Sequence, residues 1–140
     1  SKIVEIIHKA KNVYIVGFRT TTVLTEFLGF YLNLILDNVR VVSYGISDIF
    51  EQLINVSNDD VVIGISFPRY SSKTAEILEF VKDQGALVIA ITDSEFSPWV
   101  ESSDYKLIAK SNMISFVDSL VILVKIKWKI TINNPMTYKS

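Results

Sequence analysis

The run from Val61 to Ile65 constrains the fold more than any other stretch of this 140-residue chain, because it is apolar without interruption. A strand with one face in water alternates apolar and polar residues, whereas a strand of a parallel sheet, covered on both faces, is apolar throughout. The run stops at Ser66, so a buried strand is predicted over Val61–Ser66. Comparable runs predict four further strands, at Val13–Val16, Val39–Tyr44, Ala86–Thr92 and Tyr105–Ile108.

Segments with helical spacing of apolar residues separate most of these strands. Helices are predicted over residues 1–11, from Thr21 to Leu36, from a cap at Ser47 or Asp48 to Ile54, from a cap at Ser71 or Ser72 to Gln84, and from a cap at Ser111 or Asn112 to Trp128 or beyond. Gly85 should end the fourth helix, and Ser97-Pro98 should open a short turn. The alternation predicts an α/β fold, a three-layer α-β-α sandwich with a five-stranded parallel sheet of the flavodoxin-like, doubly wound type. Arg40 places the second strand near an edge of that sheet.

Length and composition exclude several classes of protein. With 140 residues, 49% of them hydrophobic, residues 1–140 are predicted to form a single domain with a substantial core. The absence of cysteine excludes disulfide frameworks and thiolate chemistry, and it fits a cytoplasmic protein. A net charge of −1 predicts no broad nucleic-acid footprint. The longest apolar run, Phe27–Leu36, is too short to span a membrane, so no membrane contact is expected.

Hydroxyl-rich loops follow three of the predicted strands, at Gly17–Thr22, Ser66–Ser72 and Thr92–Ser97. In an open parallel sheet the carboxyl ends of the strands meet at one edge, where ligands bind. The first two loops also carry Arg19 and Arg69, and each precedes a helix whose amino terminus attracts anions. These loops therefore predict a pocket for a phosphate-sized anion with room for a polyol.

The segment 65–107, from ISFPRYSSK to SSDYKL, resembles the core of a SIS domain, the sugar-isomerase type of phosphosugar-binding module. The features in the family's order are Ser66, Tyr70–Ser72, Gly85-Ala86, Ile91-Thr92, Ser97-Pro98 and Ser103-Asp104. GFRTTT at Gly17–Thr22 resembles the family's first loop, and SFPRYS is similar to the effector domain of RpiR-type transcription regulators. The resemblance covers Lys11 to about Trp128.

The resemblance implies a ligand-binding domain for a phosphorylated sugar. With the two arginines included, the expected ligand-binding residues are Arg19, Thr20, Thr21, Ser66, Arg69, Tyr70, Ser71 and Ser72. Arg19 and Arg69 stand where the family commonly has glycine. The resemblance leaves two alternatives: the guanidinium groups replace backbone donors, or they narrow the pocket, and in either case the ligand is expected to differ from the usual sugar phosphates. No cofactor and no metal are expected.

Catalysis is disfavoured, because the groups that move protons in an aldose–ketose isomerisation are few. His8 is the only histidine and precedes the first strand, on the wrong side of the sheet. Glu76 is the best base candidate, and the last helix holds only Asp118 as an acid. A sensing domain of a helix-turn-helix regulator is therefore preferred, and a small sugar-phosphate isomerase remains the alternative.

Two further expectations concern partners. The helix Thr21–Leu36 is apolar around most of its circumference and the last helix is rich in apolar residues, so a homodimer is predicted. No helix-turn-helix fits inside this chain, so DNA contact is expected only through an N-terminal domain that precedes Ser1 and is absent here. Asn133-Asn134-Pro135 should end the ordered part, which leaves 133–140 as a frayed tail.

Overall fold

The computed structural model describes residues 2–42, 48–67, 72–95, 97, 101, 103–109 and 112–132. Within these residues strands and helices follow one another in the predicted order. The elements are α1 (Lys2–Lys9), β1 (Asn12–Val16), α2 (Thr22–Asn33, preceded by a 3₁₀ turn at Arg19–Thr21), β2 (Val39–Val42), α3 (Ile49–Gln52), β3 (Asp60–Ile65), α4 (Ser72–Asp83), β4 (Leu87–Thr92), β5 (Tyr105–Ile108) and α5 (Met113–Ile132).

The five strands form one parallel sheet in the order β2-β1-β3-β4-β5. The continuous apolar run forms β3, the central strand, and every residue of β3 is buried. Arg40 lies exposed on β2 at the edge, as its interruption of the second apolar run predicts. The predicted α/β fold with a five-stranded parallel sheet is therefore confirmed.

Two apolar cores lie on opposite faces of the sheet, as a strand buried on both sides requires. Side chains of α1, α2 and α5 cover one face, where Ile63 and Ile89 point. Side chains of α3 and α4 cover the other, where Val62 and Val88 point. Adjacent residues of one strand thus enter different cores, which is the period of two that a strand imposes.

Local signals set most of the helix ends. The Asp48 carboxylate accepts a hydrogen bond from the backbone N–H of Phe50 at 2.8 Å, which caps α3. Asn112 Oδ1 accepts one from the Ser115 N–H at 3.1 Å at the start of α5. Gly85 has φ of +97°, a left-handed conformation that glycine adopts without steric cost, and it ends the turn after α4 as predicted.

Some predicted boundaries differ from the observed ones. The second helix, predicted to reach Leu36, ends at Asn33, because the Ile35 and Leu36 N–H groups both donate to the Leu32 carbonyl and tighten the last turn. The third ends at Gln52 rather than Ile54, and the last continues past Trp128 to Ile132. The predicted turn at Pro98 and the tail at 133–140 lie outside the described residues.

In the described part of the chain, no helix has both the length and the apolar character that crossing a membrane requires.

Candidate functional site

A crevice forms at the carboxyl edge of the sheet where β1 and β3 lie side by side. The chain leaves β1 into α2 on one face of the sheet and leaves β3 into α4 on the other. The loops after these two strands therefore diverge and leave space between them. Ligands of open α/β sheets bind at such a point.

The first loop is held tightly against the first turn of α2. A Cβ atom on Gly17 would lie 2.5 Å from Thr25 Cγ2, 2.7 Å from Thr21 Oγ1 and 3.3 Å from the carbonyl oxygen of Ile65 at the end of β3. These distances leave no room for a side chain at residue 17, and they make Thr21 a neighbour of the second loop. The predicted site residues of the two loops are thus brought to one edge of the sheet.

Thr21 is buried, and its hydroxyl donates to the Phe18 carbonyl at 2.9 Å. The Thr21 N–H donates to the same carbonyl at 3.2 Å. With its proton used inside the loop, the Thr21 hydroxyl positions the loop and retains its lone pairs as acceptors. The backbone of Thr20 lies in the same 3₁₀ turn, and its side chain is outside the described part.

Arg19 opens the 3₁₀ turn with φ of +59°, and it is the one non-glycine residue with positive φ in the described part of the chain. Its side chain is exposed at the carboxyl edge of the sheet. The family resemblance put a glycine at this position, and the observed backbone has the left-handed conformation that glycine favours.

Ser66 begins the second loop directly after β3. It is buried, and its backbone N–H donates to the Ile91 carbonyl at 3.0 Å, which ties the loop to β4. Its hydroxyl belongs to a buried residue directly beyond the carboxyl end of the central strand. Ser72 is the exposed first residue of α4. Arg69, Tyr70 and Ser71, which were predicted to bind ligand, lie outside the described residues.

The third loop follows β4 at the same edge. Thr92 is buried and its hydroxyl contacts the Asp93 carboxylate at 3.3 Å. Ser97 is also buried, and its N–H donates to the Ser94 carbonyl at 3.1 Å. These hydrogen bonds lie within the third loop and hold its shape, whereas the first two loops flank the crevice.

The acid–base groups considered for catalysis do not gather at this edge. His8 lies on α1, and burial, followed by the nearby Lys127 and Lys9 charges, lowers the pKa of its imidazole below the ordinary value of 6.5. Glu76 and Asp118 are exposed on α4 and α5. Among the described residues no group of three histidine or acidic side chains could hold a metal ion.

A cavity of about 550 Å³ lies at the opposite edge, beside α1 and the amino ends of β3 and β4. Its charged lining includes Lys2 and Glu5 at the surface and Asp60, which is buried and already hydrogen-bonded to Asn12. We therefore assign the candidate site to the switch-point crevice rather than to this cavity.

Sequence reasoning missed two contributors to the crevice. Gly17 was placed in the first loop, but the sequence did not show that its close contacts fix the approach of this loop to α2. Phe18 is buried, and its carbonyl accepts both hydrogen bonds from Thr21. The signal available in the sequence was a glycine directly after a strand and five residues ahead of the first residue of α2.

The fold is a three-layer α/β domain, and its candidate site lies at the topological switch point of the sheet. Residues 6–125 match the SIS domain family, and the chain belongs to that family.

Three known proteins are similar to this chain in sequence or in structure. It is 30% identical over 114 residues to an uncharacterised HTH-type transcriptional regulator of Haemophilus influenzae, in a match that covers 76% of this chain and 37% of that relative. It is similar to the sugar isomerase domain of an RpiR transcription factor from Sphaerobacter thermophilus, with a TM-score of 0.84, 28% identity, and coverage of 91% of this chain and 77% of the other. The Vibrio vulnificus NanR protein complexed with ManNAc-6P has the same fold, with a TM-score of 0.74, 16% identity, and coverage of 91% and 55%.

Proposed function

We propose that this chain is the phosphosugar-sensing and dimerisation domain of a transcriptional regulator. The observation that carries the proposal is the position of Ser66, buried directly after β3 at the switch-point crevice of a SIS domain. Both relatives near 30% identity are regulators, in agreement with the predicted non-enzymatic role. The chain spans about 37% of the length of its curated relative, so DNA binding is proposed for a part of the protein outside this chain.

The crevice has the chemistry that a phosphorylated sugar needs. Ser66 offers a hydroxyl donor in a buried position, where a hydrogen bond to a charged group is stronger than in water. Arg19 adds an exposed positive charge at the same edge, and α4 starts there with Ser72. Arg69, Tyr70, Ser71 and Thr20 complete the proposed ligand set.

The NanR structure supports the ligand class, because that protein of the same fold holds a phosphorylated amino sugar. At 16% identity the similarity shows the fold alone. It therefore supports phosphorylated sugars as the class of ligand and does not identify one sugar. A phosphorylated sugar and a DNA target both belong to the cytoplasm, which is where we propose that the protein acts.

Thermal unfolding tests the sensing role. A ligand that binds only the folded state raises Tm by mass action, and we expect that effect with one or more sugar phosphates, among them ManNAc-6P and glucose 6-phosphate. Ser66→Ala should reduce the ligand-induced rise, whereas Ser57→Ala, at the amino end of β3, should leave it unchanged. A rise with neutral sugars and none with phosphorylated ones would show that the crevice is not an anion site.

The isomerase alternative receives little support from the geometry. Glu76 is exposed on α4, and His8 lies on α1, away from the crevice. Proton NMR of mixtures of aldose and ketose phosphates distinguishes the two functions. We expect no interconversion above the uncatalysed rate, and turnover that Glu76→Gln abolishes would establish the enzyme instead.

Homodimerisation is proposed from two exposed apolar stripes on one side of the molecule. The outward positions are Val23 and Phe30 on α2 and Leu34 directly after it, and on α5 they are Ile122, Ile126 and Ile130. The two helices cover the same face of the sheet and pack against each other, so the stripes form one surface, called here the α2–α5 face. An apolar surface of this extent on a small domain marks an interaction site, and a second copy of the chain is the partner proposed for it.

A further inference from the structure

Arg19 occupies a position whose backbone favours glycine. With φ of +59° it lies in the left-handed region, where Cβ of an L-residue approaches its own carbonyl oxygen. Glycine adopts this conformation freely and asparagine with little difficulty, but arginine has no local hydrogen bond to offset the strain. Strained residues of this kind are found where the surrounding structure imposes the conformation.

The residues on both sides of Arg19 impose it. Phe18 is buried before it, and Thr21 is buried two residues after it with both its N–H and its hydroxyl bonded to the Phe18 carbonyl. The Arg19 carbonyl accepts the N–H of Thr22, the first residue of α2. The backbone path of the loop is therefore fixed, and residue 19 takes the left-handed conformation whatever its side chain.

The part of the fold that the structure describes makes no use of the Arg19 side chain that would offset this strain. The side chain is exposed, and it forms no ion pair or hydrogen bond with another described residue. The ion pairs formed between described residues involve lysines, such as Lys82 with Asp104 at 3.2 Å. For stability alone, glycine or asparagine would serve better at this position.

We infer that Arg19 is kept at a glycine-type position for its guanidinium, which contacts the phosphate of the ligand and selects dianionic phosphate esters over singly charged analogues. The inference rests on the proposed function, because it assigns this contact to the same crevice. A guanidinium offers two parallel N–H donors to an oxyanion, and its attraction increases with the charge of that oxyanion. The chain thus gives up some folding stability in exchange for ligand selectivity.

The first arm of the test measures the strain without ligand. Arg19→Gly and Arg19→Ala both remove the guanidinium, and they differ only in the Cβ atom. At an ordinary position alanine is the more stable of the two, whereas at a left-handed position glycine is. We expect the folding equilibrium constant from urea unfolding to be about fivefold larger for the glycine variant. An alanine variant as stable as the glycine variant, or more so, would overturn the inference.

The second arm measures ligand selectivity by calorimetry with glucose 6-phosphate and its sulfate analogue glucose 6-sulfate, with ManNAc-6P, and with inorganic phosphate. The two glucose esters have the same shape and differ in charge. Arg19→Ala should weaken binding of the phosphate esters about ten- to hundredfold, as expected for loss of a charge-assisted hydrogen bond. It should weaken binding of the sulfate less, and Arg19→Lys should retain part of the affinity.

The outcomes separate this inference from the proposed function. Phosphate binding in Arg19→Ala as tight as in the wild type would overturn the role of Arg19 while sensing stands. If wild-type protein binds inorganic phosphate but no sugar phosphate, and Arg19→Ala loses that binding, the sugar-sensing role fails while the Arg19 contact stands. Wild-type protein that binds neither inorganic phosphate nor any of the esters would overturn both.

Discussion

Gly17, at the end of β1, packs so closely against Thr25 in the first turn of α2 that a Cβ atom on the glycine would lie 2.5 Å from Thr25 Cγ2. Real Cβ atoms do not approach other heavy atoms this closely, so the contact exists only because residue 17 has no side chain. The carbonyl of Ile65 lies on the other side of the same position, at 3.3 Å. The glycine therefore sets the spacing between the first ligand loop, α2 and the end of β3.

Gly17→Ala is expected to destabilise the fold by about 1–3 kcal/mol, because an added methyl group in a well-packed region forces the backbone or its neighbours to move. The movement would displace the loop that carries Arg19 and Thr21, so the Tm rise produced by sugar phosphates should also shrink. Urea unfolding with and without ligand measures both effects.

Gly64→Ala is the matched control on the neighbouring strand. A Cβ atom there would lie 3.2 Å from the two Cδ atoms of Leu78, which belong to the end of a flexible side chain. The leucine can shift by a few tenths of an ångström, so a smaller loss of stability and a normal ligand response are expected. Equal losses in the two variants would show that the Gly17 position is not specially constrained.

The fold was predictable because several short apolar runs without alternation, separated by helical segments, are typical of a parallel sheet that is covered on both faces. Val61–Ile65 identifies the central strand, and Arg40 identifies an edge strand, before any coordinates are known. The helix ends were less predictable, because they depend on tertiary contacts. Leu36 is apolar and fits the helical spacing, yet it leaves α2 and is buried below the last turn.

The sequence predicted that the candidate loops would share one edge of the sheet, but it did not predict the interactions that their side chains make. Hydroxyls after three strands indicate the ligand edge, since parallel strands end at one side of a sheet. Their roles depend on hydrogen bonds that a sequence does not show. The Thr21 hydroxyl donates inside its own loop, whereas the Ser66 N–H ties the second loop to β4. The left-handed backbone of Arg19 could be expected only from a resemblance that has glycine at this position.

Asp60 is predicted to stabilise the amino edge of the sheet without affecting the ligand. It is buried, and its carboxylate accepts hydrogen bonds from Asn12 Nδ2 at 3.1 Å and from the Ser57 N–H at 2.9 Å. Asp60→Ala removes the acceptor of both bonds and leaves two donors without it, which should cost about 3 kcal/mol of unfolding free energy. Urea unfolding measures the loss.

The ligand response provides the control for Asp60, because this residue lies at the opposite end of β3 from Ser66. The Tm rise at saturating sugar phosphate should be unchanged in Asp60→Ala once its lower starting Tm is taken into account. A variant that keeps wild-type stability would show that the two hydrogen bonds contribute nothing net, and one that loses the ligand response would show that the two edges are coupled.

Acidification is predicted to lower stability through His8. Burial, and then the Lys127 and Lys9 charges, lower the pKa of this imidazole in the folded state below 6.5. Between the folded and the unfolded pKa the unfolded chain binds more protons, so the free energy of unfolding rises with pH in that window. Stability contributed by neutral His8 is therefore fully present above pH 6.5, and it is lost as the pH falls from 6.5 through the folded pKa.

His8→Gln should flatten this part of the pH dependence, measured by urea unfolding at pH 5 to 8 in a constant-ionic-strength buffer. Since His8 is the only histidine, its imidazole signals in NMR report the folded pKa without ambiguity. The Nδ1 atom of His8 is buried without a hydrogen-bond partner among the described residues, which agrees with a neutral ring. An NMR pKa above 6.5 would contradict the predicted sign.

The α2–α5 face is predicted to be the dimer interface, and single charges at its centre should disrupt it. Phe30 on α2 is 61% exposed and Ile126 on α5 is 51% exposed, so glutamate at either position has access to water in the monomer. In a dimer the same carboxylate would be buried without a partner, which is strongly unfavourable. Phe30→Glu and Ile126→Glu should therefore convert a wild-type dimer into a folded monomer in sedimentation velocity at micromolar concentration.

Ile54→Glu is the matched control, because Ile54 is 63% exposed and lies beyond α3, on the opposite side of the sheet. It has the same chemistry and nearly the same exposure as Phe30, so it should leave the dimer intact if the interface is where we propose. A dimer that survives Phe30→Glu and Ile126→Glu but dissociates with Ile54→Glu would move the interface to the α3–α4 side. Wild-type protein that sediments as a monomer would refute the dimer, and it would leave the α2–α5 face open to a different partner.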